Sequence, residues 1–172
     1  AGGWSRTGAH LPRQLAGCTV GVVGFGGIGR QVANRLAGFG VELLVHDPML
    51  PADGPVVSTP LDELLTRSDV VTLHCPLLSD TRGLIGDRAL SLMQPHAVLV
   101  NTSRGPVVDE PALVAALQSG RIAGAALDVF LEEPPVGSPL LTMPNVVVSP
   151  HNGGLSDVSI AEMTRRCAEA VV

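Results

Sequence analysis

Lysine and tyrosine are both absent from this 172-residue sequence, so its eleven basic side chains are all Arg. Without Lys there is no Schiff-base amine and no P-loop phosphate lysine, and a Tyr–Lys proton-donating pair is excluded. Cysteine is scarce: Cys18, Cys75 and Cys167 are far apart, odd in number and outside any CxxC. That excludes a disulfide framework and a zinc ribbon, and fits a reducing, cytoplasmic setting. Charged residues make up only 16%, with a net charge of −5 and no basic cluster beyond Arg165 and Arg166. Nucleic acid and anionic membrane therefore have no electrostatic footprint to bind, and small-molecule chemistry is the better expectation. No apolar run reaches the roughly 18 residues of a membrane span. The first ten residues hold no basic region followed by an apolar stretch, so nothing directs the chain outward.

What is present is a core-rich chain, 45% hydrophobic in 17.7 kDa, enough for one domain. Short β-branched runs alternate with longer amphipathic ones, the pattern of a parallel sheet wrapped by helices. Strands are expected at residues 18–24 (CTVGVVG), 41–46, 69–73, 97–101, 122–127 and 146–149. Helices are expected at residues 27–39, 61–67, 110–119 and 156–172, the last opened by a Ser cap. Pro- and Gly-rich stretches at 48–60, 133–144 and 149–154 read as loops. The total predicts an α/β doubly wound parallel sheet, the Rossmann fold, whose ligands bind in loops leaving the carboxyl ends of the strands. Residues 1–17 form a lead-in segment and residues 18–172 the core.

Gly24, Gly26 and Gly29 form a GxGxxG between the first strand and the first helix. In that context the first glycine makes the tight turn, the second lets backbone N–H groups approach a pyrophosphate, and the third lets helix and strand close up. Asp47 stands 18 residues beyond Gly29, just past the second strand, where a carboxylate accepts from ribose hydroxyls and repels a 2′-phosphate. That favours NAD over NADP. Asp47-Pro48 is equally the kind of pair that opens a turn, and S-adenosylmethionine folds also combine a Gly-rich loop with such an acid.

Three later loops carry Arg104, Glu133 and His151, each after a predicted strand. Reduction of a 2-keto acid needs a cation for the carboxylate, a proton donor for the carbonyl oxygen, and a group that keeps the donor charged. Arg104 suits the first task and His151 the second, while a carboxylate at Glu133 favours the imidazolium. Singly, each has a plainer reading: a surface ion pair, a solvated acid beside Glu132, a turn residue after Pro150. His10, His46 and His96 lack comparable context and read as structural or solvent-facing.

The stretches GFGGIGR (24–30), HDP (46–48), LHCP (73–76), TRGLI (81–85), NTSRG (101–105), ALDVFLEEP (126–134) and PHNGG (150–154) together resemble the NAD-binding domain of the D-isomer-specific 2-hydroxyacid dehydrogenases. The resemblance covers nearly the whole chain. It implies that Arg104 binds and polarises substrate, that His151 is the acid/base, and that Glu133 orients it. It further implies NAD contacts at Gly27, Ile28, Asp47, the backbone of Cys75, Thr102 and Ser103, Asp128 near the nicotinamide carboxamide, and Gly153 and Gly154. No metal is implied. A Glu in the His-pairing position departs from the formate dehydrogenase branch, which uses Gln. The family's enzymes have a second, substrate-side lobe that these residues do not match. The resemblance thus implies an incomplete domain that binds NAD with weak or no turnover alone. It also implies a homodimer, with Trp4 either a dimer anchor or packed within its own domain, and a small 2-hydroxy or 2-keto acid substrate. The alternative is a non-catalytic NAD(H)-sensing scaffold of the corepressor type.

Overall fold

The computed structural model describes residues 13–170. Trp4 and His10, the lead-in residues before Arg13, and the last two positions of the expected closing helix lie outside them.

Strands and helices alternate as far as β5, which a 3-10 turn at Pro139–Leu141 links to β6: β1 (Thr19–Val23), α1 (Gly27–Leu36), β2 (Glu42–His46), α2 (Leu61–Arg67), β3 (Val70–Leu73), α3 (Asp87–Leu92), β4 (Val98–Asn101), α4 (Glu110–Gln118), β5 (Gly124–Leu127), β6 (Val146–Val148) and α5 (Asp157–Glu169). All five strand pairings are parallel, in the order β2-β1-β3-β4-β5-β6. Every carboxyl end therefore lies on one edge of the sheet. The chain leaves β1 for β2 on one side and returns to β3 on the other, so the crevice of a doubly wound sheet opens between β1 and β3.

Pleating sends alternate side chains to opposite faces. On one face Val23, Leu73, Leu99 and Leu127 join Leu64, Leu90 and Leu113 of α2, α3 and α4 in the main core. On the other, Val22 and Val45 pack with Phe25 and Ala33 beneath α1.

Most strand ends are trimmed by a residue, and two boundaries shift further. The first helix ends at Leu36 and tightens into a 3-10 turn, Ala37–Phe39, stopped by Gly40 at φ 68°. The fifth strand begins at Gly124 instead of residue 122. One helix had no counterpart in the sequence reading: α3 spans six residues, starts at Gly86 without a side-chain cap, and is held by packing of Ala89 and Leu90. It is too short for periodicity to register.

Asp69 bolts the amino edge. Its backbone N–H donates to Thr19 O, its Oδ2 accepts from the Thr19 N–H at 2.8 Å, and its Oδ1 meets His96 Nε2 at 2.6 Å and Arg13 at 3.0 Å. The Thr19 N–H, followed by His96 and Arg13 and against the effect of burial, holds its carboxyl below the ordinary range. A depressed pKa contributes stability that is fully present above the unfolded value of about 4 and is lost as pH falls through the folded value. Asp69→Asn is therefore expected to cost about 1–3 kcal/mol at neutral pH. The gap to wild type should close in acid below about pH 4, as read by urea unfolding across pH.

Candidate functional site

The Gly-rich loop leaves β1 at the crevice. Gly24 takes φ 90°, and a Cβ there would lie 2.5 Å from Cys75 N, so only glycine lets the β1 and β3 ends meet. A Cβ on Gly29 would strike Gly24 O at 2.1 Å, which is why the helix can start so close to the turn. Gly26 and Gly27 face open space, leaving the first turn of α1 uncovered. Ile28 stands 65% exposed beside them. Asp47 reaches this loop directly: its Oδ2 accepts from the Phe25 N–H at 2.7 Å and its Oδ1 from the Met49 N–H at 2.9 Å, leaving lone pairs for hydroxyl donors. Uncovered N–H groups at a helix start beside a fixed carboxylate suit a dinucleotide's pyrophosphate and ribose.

Cys75 is buried, and burial, with the charge of Asp47 adding, pushes its thiol up, away from thiolate chemistry. Its neighbour His74 escaped the sequence reading. Its Nε2 meets Thr72 Oγ1 at 2.9 Å, its Nδ1 is buried without a partner among the described residues, and burial lowers its pKa.

Beyond β4 the turn is built by Asn101, which is 1% exposed. Its Oδ1 accepts from both the N–H and the hydroxyl of Ser103, and its Nδ2 donates to Arg104 O. An Asn opening such a turn was a readable signal, since its side chain hydrogen-bonds the backbone two residues on. Ser103 is buried and Thr102 exposed. The Arg104 guanidinium donates to Ser103 O at 2.6 Å and pairs with no carboxylate among the described residues, unlike a surface ion-pair arginine.

The ends of β5 and β6 are locked together by Asp128, which is 6% exposed. Its Oδ1 accepts from the Ser149 hydroxyl at 2.5 Å and the Asn152 N–H at 3.0 Å, and its Oδ2 from the Gly153 N–H at 2.9 Å. Burial pushes this carboxyl up, but the three donors and the nearby His151 outweigh it and the net shift is downward. The donors flank His151, which adopts φ 52°, a left-handed conformation that must be held from outside. Three of the four acceptor sites of Asp128 are thus taken by the loop that carries His151. Gly154 lies just beyond, its carbonyl taken by the Ser159 hydroxyl at the start of α5.

His151 Nδ1 meets Glu133 Oε2 at 2.6 Å, while Glu133 Oε1 accepts from the Phe130 N–H at 3.0 Å. The His151 bond first, then the Phe130 N–H, hold the Glu133 carboxyl below its ordinary range against burial and the charge of Asp128. An ionised carboxylate only accepts, so Nδ1 carries the hydrogen and Nε2 is the nitrogen left for exchange. The two groups border an open, mainly apolar cleft of about 420 Å³ with Phe130, Pro134, Leu141 and Val148. A second, more open cleft of about 590 Å³ lies elsewhere, between α4 and residues 131–139.

All of the expected residues therefore lie along the carboxyl edge: the Gly-rich loop, Asp47 and Cys75 at the β1, β2 and β3 ends, the rest at the β4, β5 and β6 ends. Arg104 has no direct bond to His151. It is related to the pair through Gly105, whose Cα lies against the Phe130 carbonyl. Of the histidines read as structural, His46 and His96 are so bonded, His46 Nδ1 to Thr59 O and His96 to Asp69, while His10 lies outside the described residues. Arg165 and Arg166 are spent on Glu162 and Glu169 within α5.

No helix among the described residues is long and apolar enough to cross a membrane, and none of their His, Cys, Asp and Glu side chains cluster as a metal site. Known proteins share this layout. A family described as D-isomer specific 2-hydroxyacid dehydrogenase, NAD binding domain, matches residues 1–153. A D-3-phosphoglycerate dehydrogenase of Methanocaldococcus jannaschii is 44% identical over 149 residues, 84% of this chain and 28% of that protein. A glyoxylate reductase of Thermococcus gammatolerans is 44% identical over 163 residues, 89% of this chain and 49% of its own length. The crystal structure of a D-lactate dehydrogenase from Aquifex aeolicus, complexed with NAD and lactic acid, superposes with a TM-score of 0.88 at 34% identity. It covers 98% of this chain and 56% of that one. The chain thus spans about a quarter to a half of the curated relatives it matches. With a family match over residues 1–153 and a parallel sheet that superposes on that of an NAD-complexed relative, this chain belongs to the D-isomer specific 2-hydroxyacid dehydrogenases as their NAD-binding domain.

Proposed function

We propose that this domain serves an NAD-dependent dehydrogenase that interconverts a small D-2-hydroxy acid and its 2-keto acid. The observation that carries the reading is the 2.6 Å pair of His151 and Glu133 on the same sheet edge as the dinucleotide loop. Bound NADH supplies the hydride. Arg104, free of carboxylate partners among the described residues, takes the substrate carboxylate as a bidentate cation. His151 gives the proton from Nε2 to the carbonyl oxygen, and Glu133 fixes the ring through Nδ1 and stabilises the imidazolium. Gly24, Gly26, Gly27, Ile28 and Gly29 receive the pyrophosphate, Asp47 the ribose hydroxyls, and Cys75, Thr102 and Ser103 line the rest through their backbone. Asp128, Gly153 and Gly154 stand at the nicotinamide end. Closure by a second lobe excludes water and aligns substrate with the cofactor. The substrate class draws on relatives named for phosphoglycerate, glyoxylate and lactic acid. No observation favours the corepressor-type reading.

The test is NADH oxidation by the intact enzyme against a panel of 2-keto acids that includes glyoxylate, pyruvate and a phosphorylated keto acid. Reduction of at least one, faster with NADH than NADPH, is expected. Tight NADH binding without turnover on any of them would replace the dehydrogenase with a sensor.

A further inference from the structure

The segment that carries Glu133 spans the large cleft instead of lying on the core. Between Leu131 and Ser138 its backbone-to-backbone bonds are local, Val136 N–H to Pro134 O and Ser138 N–H to Pro135 O, and Val136 is 88% exposed. Its place above α4 must be set from its ends. There the carboxylate of Glu110 does what no other side chain among the described residues does. Its Oε1 accepts from the Ser138 hydroxyl at 2.6 Å, and its Oε2 is the longer-range acceptor, at 3.4 Å, for the Leu131 N–H. The start of α4 does not need this carboxylate as a cap. Asp109 already accepts from the Ala112 N–H at 3.0 Å, and Pro111 has no N–H to satisfy. Glu110 sits at the first helical position with its charge directed out of the helix, to the two ends of the segment.

We propose that Glu110 is a positioning residue for the Glu133–His151 pair, strapping residues 131–138 to α4 by both ends so that the Glu133 carboxylate stays on Nδ1. The proposal rests on the reading of that pair as the acid/base unit. Once the strap is released, the segment is hinged across an open cleft, and Glu133 holds both Phe130 N–H and His151 for a smaller share of the time. A glutamine can replace the strap, because its Oε1 accepts from the Leu131 N–H while its Nε2 donates to the Ser138 oxygen. An alanine cannot.

The test reads the Glu133 side-chain carboxyl titration by NMR in the 172-residue chain, together with hydrogen exchange at the Phe130 amide. The charged groups facing Glu133 are His151 and Asp128. In Glu110→Ala the Glu133 midpoint should rise toward the ordinary carboxylate range, and Phe130 exchange should quicken about 3- to 10-fold, the worth of one net hydrogen bond. Ser138→Ala should move both in the same direction by less, and decides the matter if Glu110→Ala fails to fold. Glu110→Gln should stay near wild type, and a Gln variant as disturbed as the Ala variant counts against a hydrogen-bonded strap. If neither Glu110→Ala nor Ser138→Ala moves Glu133, while His151→Ala does, the strap is wrong and the pair stands. If His151→Ala leaves the Glu133 midpoint in place, the pair itself is wrong.

Discussion

His151→Ala in the intact dehydrogenase lowers kcat by about 100- to 10,000-fold, the range carried by a positioned general acid, and leaves NADH affinity essentially unchanged. The separation follows from position. His151 lies past β6, and its only side-chain bond among the described residues is to Glu133, whereas the Gly-rich loop and Asp47 stand at the ends of β1 and β2. Glu133→Gln tests the same unit from the other side. A glutamine can still accept from the Phe130 N–H, but its amide then presents N–H to Nδ1. The imidazole is forced into the opposite tautomer, with the proton on Nε2 and no charge to support an imidazolium. Its expected loss is on the order of 10²-fold or more in kcat. Steady-state NADH oxidation and NADH fluorescence titration measure the two quantities. Turnover near wild type in His151→Ala would remove its role as acid/base. A parallel loss of cofactor affinity would mean that the loop, not the proton, had been disturbed.

Gly105→Ala is the substitution expected to damage the chain most as a folded object. A Cβ at Gly105 would sit 1.8 Å from Phe130 O, 2.0 Å from its carbonyl carbon and 2.6 Å from Leu131 N. All three are backbone atoms, so no rotamer change relieves the collision, and the β4 and β5 loops must move apart. The cost is about 3 kcal/mol or more, at the upper end of overpacking effects. Arg104 would also be levered away from the Phe130–Glu133 turn. Gly27→Ala is the control, because its Cβ would enter open space at a helical position. It should be neutral or stabilising by up to about 1 kcal/mol, while crowding the pyrophosphate and weakening NADH. Urea unfolding and cofactor titration on the two variants should therefore give opposite orders. A Gly105→Ala chain as stable as wild type would show that the two loops do not touch as described.

Much of this architecture is legible in the sequence. The continuous apolar run 18–24 announces a strand buried on both faces and holds one, trimmed at the ends, while 97–101 holds a strand with one face buried and the other half-buried. The Gly-rich loop was legible because two of its glycines are demanded by backbone contact, at Gly24 and Gly29. The misses have physical causes as well. α3 is one and a half turns with a glycine at its cap, too little for a period of 3.6 residues to show. Glu110 reads in sequence as an ordinary acid in the first turn of a helix, where the dipole favours it in any case. Nothing in its neighbourhood along the chain announces Leu131 or Ser138.

Residue chemistry and spacing along the chain were enough to set the alternation of strands and helices, the edge on which the loops emerge, and the stock of groups that can act there: a guanidinium, an imidazole and acids without lysine or tyrosine. They could not say which oxygen of Glu133 faces His151, that Asp128 spends three acceptor sites on the loop around a left-handed histidine, or that Gly105 lies against Phe130. Those contacts join residues 18 to 25 positions apart, on different strand ends, and their direction depends on how the sheet is stacked. Local periodicity encodes which face a side chain takes. Hydrogen-bond partners across loops are chosen only when the packed core brings those loops together.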